Sequence, residues 1–119
     1  MSEKEKTEYE AVRPEERAAA EGRANEERIT AELEELKRIY RDYYAKDSFT
    51  HLVDKNIDLK QVVNTNKCLI YLEKHGDKLL IVSCIDNLLK GASGQAVHNM
   101  NLMFNLEETV GLKLKPSAF

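Results

Sequence analysis

The chain has 119 residues, 18 Lys+Arg against 21 Asp+Glu, and a formal net charge of −3. This length allows one modest domain with its own core and excludes a two-domain cofactor enzyme, whose dinucleotide-binding half alone takes most of it. The near-neutral balance gives no basic face for nucleic acid, and no run approaches the roughly 18 apolar residues of a membrane span.

The opening Met1-Ser2-Glu3-Lys4-Glu5-Lys6 is charged at once, unlike a signal peptide. Two Cys sixteen residues apart suit a reducing compartment better than a disulfide framework, so the expected location is the cytoplasm. Charge is unevenly spread. Residues 1–47 hold 14 acids and 10 bases, whereas residues 48–119 hold 7 and 8. The organisation expected is a charged helical or disordered lead-in over 1–24, then a single α+β domain over 25–119.

Within the lead-in, residues 1–13 lack an apolar period and read as frayed or disordered. Pro14 can open a helix, where its missing N–H costs nothing. Glu15 to Glu21 has strong helix propensity, and Gly22 predicts a break or loosening there. Asn25, followed by Glu26 and Glu27, predicts a fresh helix start. Ile29, Leu33, Leu36, Tyr40 and Tyr43 then recur at helical spacing as far as Ala45, with Glu34/Arg38 and Lys37/Arg41 on the wet side. Such a stripe serves either a surface helix packed on a sheet or a helix awaiting a partner.

Phe49 to Val53 reads as a short first strand and Asp54 to Lys60 as a loop. Two stronger strands follow, roughly Lys67–Lys74 and Lys78–Ile85, joined at His75-Gly76-Asp77 as a hairpin. Both of their faces carry apolar residues, which calls for cover on both sides. After Gly91-Ala92-Ser93-Gly94 a second helix puts Ala96, Val97, Met100 and Phe104 on one face and ends near Asn105. Leu112 and Leu114 are candidates to pin the tail. The fold class is α+β: N-terminal helix or helices, a three-stranded mainly antiparallel sheet and a C-terminal helix.

A nucleophilic thiol needs a cationic neighbour or a helix N-terminus and an exposed position. Cys68 and Cys84 sit instead inside apolar strand patterns and read as buried structural residues, and their spacing lacks the paired ligands that zinc prefers. His51, His75 and His98 are scattered over a strand, a turn and a helix, and read as turn or surface residues. No catalytic or metal-ligating residue is assigned. The Gly91–Gly94 segment could let a backbone approach a phosphate or nicotinamide at a helix N-terminus, or could serve tight packing alone. An amide there, Asn87 or Gln95, could read a carboxamide as donor and acceptor together.

Val63-Asn64-Thr65-Asn66-Lys67-Cys68, the string Ile85-Asp86-Asn87-Leu88-Leu89-Lys90-Gly91-Ala92-Ser93-Gly94-Gln95-Ala96-Val97 and Asn99-Met100-Asn101-Leu102-Met103-Phe104 together resemble the C-terminal end of the N-acetyl-γ-glutamyl-phosphate reductases. Leu106 to Leu112 fits as well. The resemblance covers about 48–119 and reaches back over the helix from 33. It implies an NADP-dependent enzyme of arginine biosynthesis that reduces an acyl phosphate to a semialdehyde through a Cys thioester, a His moving the proton. It also implies that Asn87 lies near the nicotinamide amide, that Gly91 and Ala92 let the backbone pass close to the cofactor, and that the last helix returns to the nucleotide-binding domain.

The family's Gly-rich dinucleotide turn, its Gly-Cys-Tyr nucleophile and its His motif followed by Pro-Glu are missing from this sequence, and Arg17 to Arg28 stands where an apolar strand is expected. The resulting expectation is a C-terminal portion of the reductase behind an unrelated or rebuilt charged N-terminus. It would be inactive alone, bind NADP weakly if at all, form a homo-oligomer, and accept a nucleotide-binding domain in trans. The alternative is a designed or fused structural or oligomerisation module without catalysis.

Overall fold

The computed structural model describes residues 2, 3 and 13–116. The expectation of a frayed lead-in over 1–13 therefore lies outside the described residues, apart from Ser2, Glu3 and Arg13. Helix α1 (Pro14–Tyr44) is followed by β1 (Thr50–Val53), a 3-10 turn (Leu59–Gln61), β2 (Cys68–His75), β3 (Lys78–Cys84), one π-helical turn (Leu89–Ser93) and α2 (Gly94–Met103). This is the α+β arrangement expected: a helix, a three-stranded sheet and a second helix.

Pro14 opens α1 as read, but the helix neither breaks at Gly22 nor restarts at Asn25. The Ala, Glu and Arg around Gly22 are strong helix formers, and continuing the helix adds one bond per residue without a second nucleation. Asn25 is no cap here. Its Oδ1 accepts from Arg28 Nη2 at 2.8 Å on the helix surface. The apolar stripe is half-covered at Ile29, Leu33, Leu36 and Tyr40, and continues at Tyr44, while Tyr43 is exposed. Lys37 leaves the wet side, its side chain only 17% exposed beside Glu34. Arg38 pairs with Glu35 and Asp42 rather than with Glu34.

Sheet order is β1-β2-β3. β1 runs parallel to β2, from Thr50↔Cys68 to Val53↔Tyr71. β3 returns antiparallel along β2, from Leu69↔Cys84 to His75↔Lys78. The hairpin turn is two residues, Gly76-Asp77, and only Gly76 has positive φ (61°), which is the II′ pattern that suits the strands' twist. A parallel pair needs a crossover. Here it is 54–67, anchored by the fully buried Val62 and by Thr65, whose Oγ1 donates to Val62 O at 2.7 Å. Asp58 and Gln61 cap its 3-10 turn reciprocally.

α1 packs on β1 and β2. Glu32 on α1 pairs with Lys74 on β2, which places α1 over the face carrying Cys68, Ile70, Leu72 and Lys74. Arg41 to Asp54 and Arg28 to Asp77 fasten α1 at two further points. The core centres on β2: Leu69, Ile70 and Leu72 are buried with Phe49, Val62 and Leu112. No residue of β3 is buried. Among the described residues no helix is long and apolar enough to cross a membrane.

Candidate functional site

Asp86 organises the segment after β3. Its Oδ1 accepts from the N–H groups of Leu88 (2.8 Å) and Leu89 (3.0 Å), and its Oδ2 from Asn64 N–H (2.9 Å). These three backbone donors favour the charged form and hold the carboxyl below the usual aspartate range. Asn64 itself sits at φ 61°, a left-handed conformation that Asn tolerates. One carboxylate thus ties the crossover to the start of the π-turn. Gly91 N–H reaches back to Asp86 O (3.0 Å) and Ser93 N–H to Leu88 O (3.0 Å), the five-residue spacing of a π-turn.

Asn87, Gly91 and Ala92 all lie on the exposed side of this turn. A Cβ on Gly91 would stand 3.2 Å from Asp86 O, and the Asn87 Oδ1 lies 3.8 Å from the same point. The three residues are therefore adjacent, and they make one edge rather than an enclosed pocket. Gln95 is also exposed, on the first turn of α2.

Behind this edge the packing is tight and polar. Gly94, at the start of α2, is buried, and a Cβ there would fall 1.7 Å from Asn66 Oδ1 and 2.6 Å from Leu89 O. Asn66 in turn donates from Nδ2 to Leu112 O (3.0 Å), fixing the tail to the start of β2. Asn101 is 1% exposed and donates to both Glu108 O (3.1 Å) and Val110 O (3.0 Å). α2 closes in a Schellman motif: Leu106 N–H bonds Asn101 O (2.8 Å), Asn105 N–H bonds Leu102 O (3.4 Å), and Asn105 takes φ 53°.

The packed face of α2 is Gly94, Val97, His98 and Asn101; of the expected Ala96, Val97, Met100 and Phe104, only Val97 belongs to it. Met100 and Phe104 are exposed. The small and polar residues win this face because the neighbouring backbone comes too close for long side chains and offers carbonyls to bond. Leu112 is buried as expected, but Leu114 is exposed.

His98 is no surface residue either. Its Nε2 and Glu108 Oε1 are 2.8 Å apart, and its ring meets Phe49 edge-on at 5.3 Å. Lys90 Nζ stands 5.6 Å from the other partner's ring, that of Phe49. Asp47 accepts from the N–H groups of Phe49 and Thr50 at 2.9 and 3.0 Å. Burial pushes its carboxyl up, but these donors and Lys90 outweigh burial and leave it below the usual range. His51 is exposed on β1, and His75 pairs with Glu73 at the hairpin end. The sequence signals for this second layer were the Asn64-Thr65-Asn66 run and Asn101, polar residues inside apolar patterns.

Cys68 and Cys84 lie in strands as expected but are half-buried rather than buried. Cys68 shares α1's face and meets Ser83 Oγ at 3.5 Å. Cys84, opposite Leu69, is on the other face. Neither stands at a helix N-terminus, and the described residues contain no cluster of metal-ligating side chains.

These features fall within known proteins. The family model for the semialdehyde dehydrogenase dimerisation domain matches residues 21–87. It thus takes in α1 from Glu21 onward, earlier than position 33, together with all three strands. The chain is 88% identical over 88 residues to the N-acetyl-γ-glutamyl-phosphate reductase of Phocaeicola vulgatus, covering 74% of this chain and 27% of that protein. The corresponding reductase of Bacteroides fragilis is 88% identical over 87 residues, covering 73% and 27%. That of Christiangramia forsetii is 61% identical over 92 residues, covering 77% and 29%. The chain spans about a quarter of the length of these curated relatives, a C-terminal portion of them. On the match over its helix and sheet, the chain belongs to the semialdehyde dehydrogenase dimerisation-domain family.

Proposed function

We propose that this chain is the subunit-association portion of an NADP-dependent N-acetyl-γ-glutamyl-phosphate reductase of arginine biosynthesis, working in the cytoplasm and inactive by itself. The observation that carries this reading is the 88% identity over 87–88 residues to reductases named for that activity. In it the chain forms a homo-oligomer, and Asn87, Gly91 and Ala92 supply one edge of the nicotinamide site.

The geometry fits that limited role. The exposed Asn87 amide can donate and accept at once, as a carboxamide requires. Asp86 keeps the turn in place through three backbone donors, so the edge is set before any ligand arrives. NADP, when bound, supplies the hydride; the residues of this chain only orient its nicotinamide end. One open edge offers few contacts, so saturable NADP binding below millimolar is not expected for this chain alone.

Leu88, Leu102, Met103 and Phe104 are 57–80% exposed around the π-turn and α2. In this reading they are the surface on which the nucleotide-binding domain docks. The test is a phosphate-requiring, NADP-dependent oxidation of the semialdehyde. The purified chain should give no turnover, and mixing with a reductase truncated before this portion should restore it. Turnover by the chain alone that is lost in Cys68→Ser or Cys84→Ser overturns the inactive reading; no restoration on mixing overturns the docking role.

A further inference from the structure

We propose that Lys90 is a positioning residue of the cofactor edge: its ammonium seats on the ring of Phe49 and clamps the π-turn beside Asn87, Gly91 and Ala92 to the start of β1. This rests on the reading of those three residues as one edge of the nicotinamide site, and it names what holds that edge from behind.

The place of Lys90 in the sequence invites a different role. A cation between Asn87 and Gly91 is where a dinucleotide phosphate could be met by a point charge. The structure turns it the other way. Asn87, Gly91 and Ala92 are exposed, whereas Lys90 is half-buried. Its Nζ stands 5.6 Å from the centroid of the Phe49 ring, within the range at which an ammonium is attracted to a ring face.

That seat is itself fixed. Phe49 is 5% exposed. Its N–H donates to Asp47 Oδ1 at 2.9 Å, and its carbonyl accepts from Cys68 N–H at 2.8 Å. His98 of α2 closes on the ring edge at 5.3 Å. Asp47, whose carboxyl is held low by its backbone donors and by Lys90 against burial, adds a negative charge to the same place. Ring and carboxylate together suit a cation and hold it to β1.

The turn needs such a tether in its middle. Asp86 binds the N–H groups of Leu88 and Leu89 at its start, and the buried Gly94 lies against Asn66 at its finish. Between them stand Lys90, Gly91, Ala92 and Ser93, of which Lys90 alone is charged and alone is longer than a serine. Ser93 Oγ bonds back within the turn, to Leu88 O at 2.8 Å, and Gly91 brings the least restricted backbone of the four. Loss of the Lys90 charge frees this middle and leaves both ends in place.

The first tests use the chain alone. In the wild-type protein the ε-methylene protons of Lys90 should resonate upfield of those of the other lysines, because they approach a ring face. Lys90→Met keeps the stem and removes the charge. It should speed amide exchange at Gly91 and Ser93 roughly fivefold, with the β2 amides and the urea midpoint unmoved, and Lys90→Arg should restore the slow exchange. A missing upfield shift, or unchanged exchange in folded Lys90→Met, overturns the clamp. An equal rise over β2 makes Lys90 a support of the whole fold and overturns the positioning role. If Lys90→Met does not fold, the upfield shift alone decides. Mixed with the truncated reductase, Lys90→Met should raise the KM of NADP and the inhibition constant of NAD, which lacks the extra phosphate, by the same factor, with kcat within twofold. A rise for NADP alone shows a phosphate contact and overturns the proposal. If the wild-type chain restores no turnover, the docking reading falls, and the upfield shift and the exchange still judge the clamp.

Discussion

In residues 14–28 of α1 every side chain but Arg17 is exposed, and the helix stands on propensity and surface ion pairs such as Arg28–Glu32. Between Asp86 and Asn101 tertiary contacts, not propensity, hold the helical backbone. A π-turn and a short helix contain Gly91, Gly94 and Asn101, which local propensity disfavours, and neighbouring groups hold the stretch in place. Asp86 binds three backbone N–H groups, Gly94 lies against Asn66, and Asn101 binds two carbonyls of the tail. One stretch is helical because of its own residues. The other is helical because of what surrounds it, and it is the one that presents Asn87, Gly91 and Ala92.

The sharpest way to break the comparison is to add the same methyl to a glycine in each stretch. At Gly94 the new Cβ would fall 1.7 Å from Asn66 Oδ1 and 2.6 Å from Leu89 O. Asn66 can shift only by giving up its bond to Leu112 O, and Leu89 O is backbone. Gly94→Ala is expected to destabilise by about 3 kcal/mol, the upper range for overpacking, measured as a lower urea midpoint. The same variant should loosen the tail, read as faster amide exchange at Asn101 and Leu112.

Asn101→Ala comes next. It strands the carbonyls of Glu108 and Val110 and leaves a gap where a side chain was 1% exposed. The expected cost is about 2 kcal/mol, since a buried acceptor that loses its donor bears its own desolvation. The corresponding change on the first half of α1, Asn25→Ala, removes only a surface bond to Arg28 and should stay within about 0.5 kcal/mol.

Acid separates the regions a third way. Asp86 and Asp47 are held below the ordinary aspartate range, Asp86 by backbone donors and Asp47 by donors and Lys90 against opposing burial. A depressed folded value contributes stability that is complete above the unfolded value, near pH 4, and disappears as pH falls through the folded one. Urea midpoints should therefore be flat from pH 7 to 5 and fall steeply below about pH 4. Asp86→Asn should lower the neutral-pH midpoint and flatten that acid limb. Glu35, lowered by Arg38 on the open helix surface, should contribute less, so Glu35→Gln should leave the limb almost unchanged.

What could be read from the sequence follows the same division. Pro14 at the helix start, the Ile29–Tyr40 stripe, the strand alternation and the Gly76 turn are local signals, and each stands in the structure. The parallel pairing of β1 with β2 had no such signal, because crossover 54–67 carries only a 3-10 turn and no helical period. Tyr43 and Tyr44 differ by one helical step, too little for spacing to decide which faces the sheet. The packed face of α2 was misread because apolar residues mark a core only where there is room for them. Beside Asn66 and the tail there is room for Gly94 and hydrogen bonds for Asn101, while Met100 and Phe104 are left outside. The proposed site residues Asn87, Gly91 and Ala92 come from the resemblance alone; the Asp86 carboxylate that anchors the turn beside them carried no signal of that role.

A small stabilising change is the most direct check on the first half of α1. Gly22 lies mid-helix with nothing within 4 Å of an added Cβ, so Gly22→Ala meets no clash. It removes backbone freedom from the unfolded chain and supplies a better helix former. The expected gain is about 0.5–1 kcal/mol of helix stability. Because no residue from 14 to 28 is buried, this stretch can fray without unfolding the sheet. The gain should then appear as slower amide exchange and more helical circular dichroism over residues 14–28, with the urea midpoint of the sheet nearly unmoved. A midpoint that rises by the full amount would instead show that the exposed half of α1 unfolds together with the sheet. The two halves of the helix would then be one cooperative unit, joined through Arg28, whose guanidinium bonds Asn25 and Glu32 on the helix and Asp77 at the hairpin.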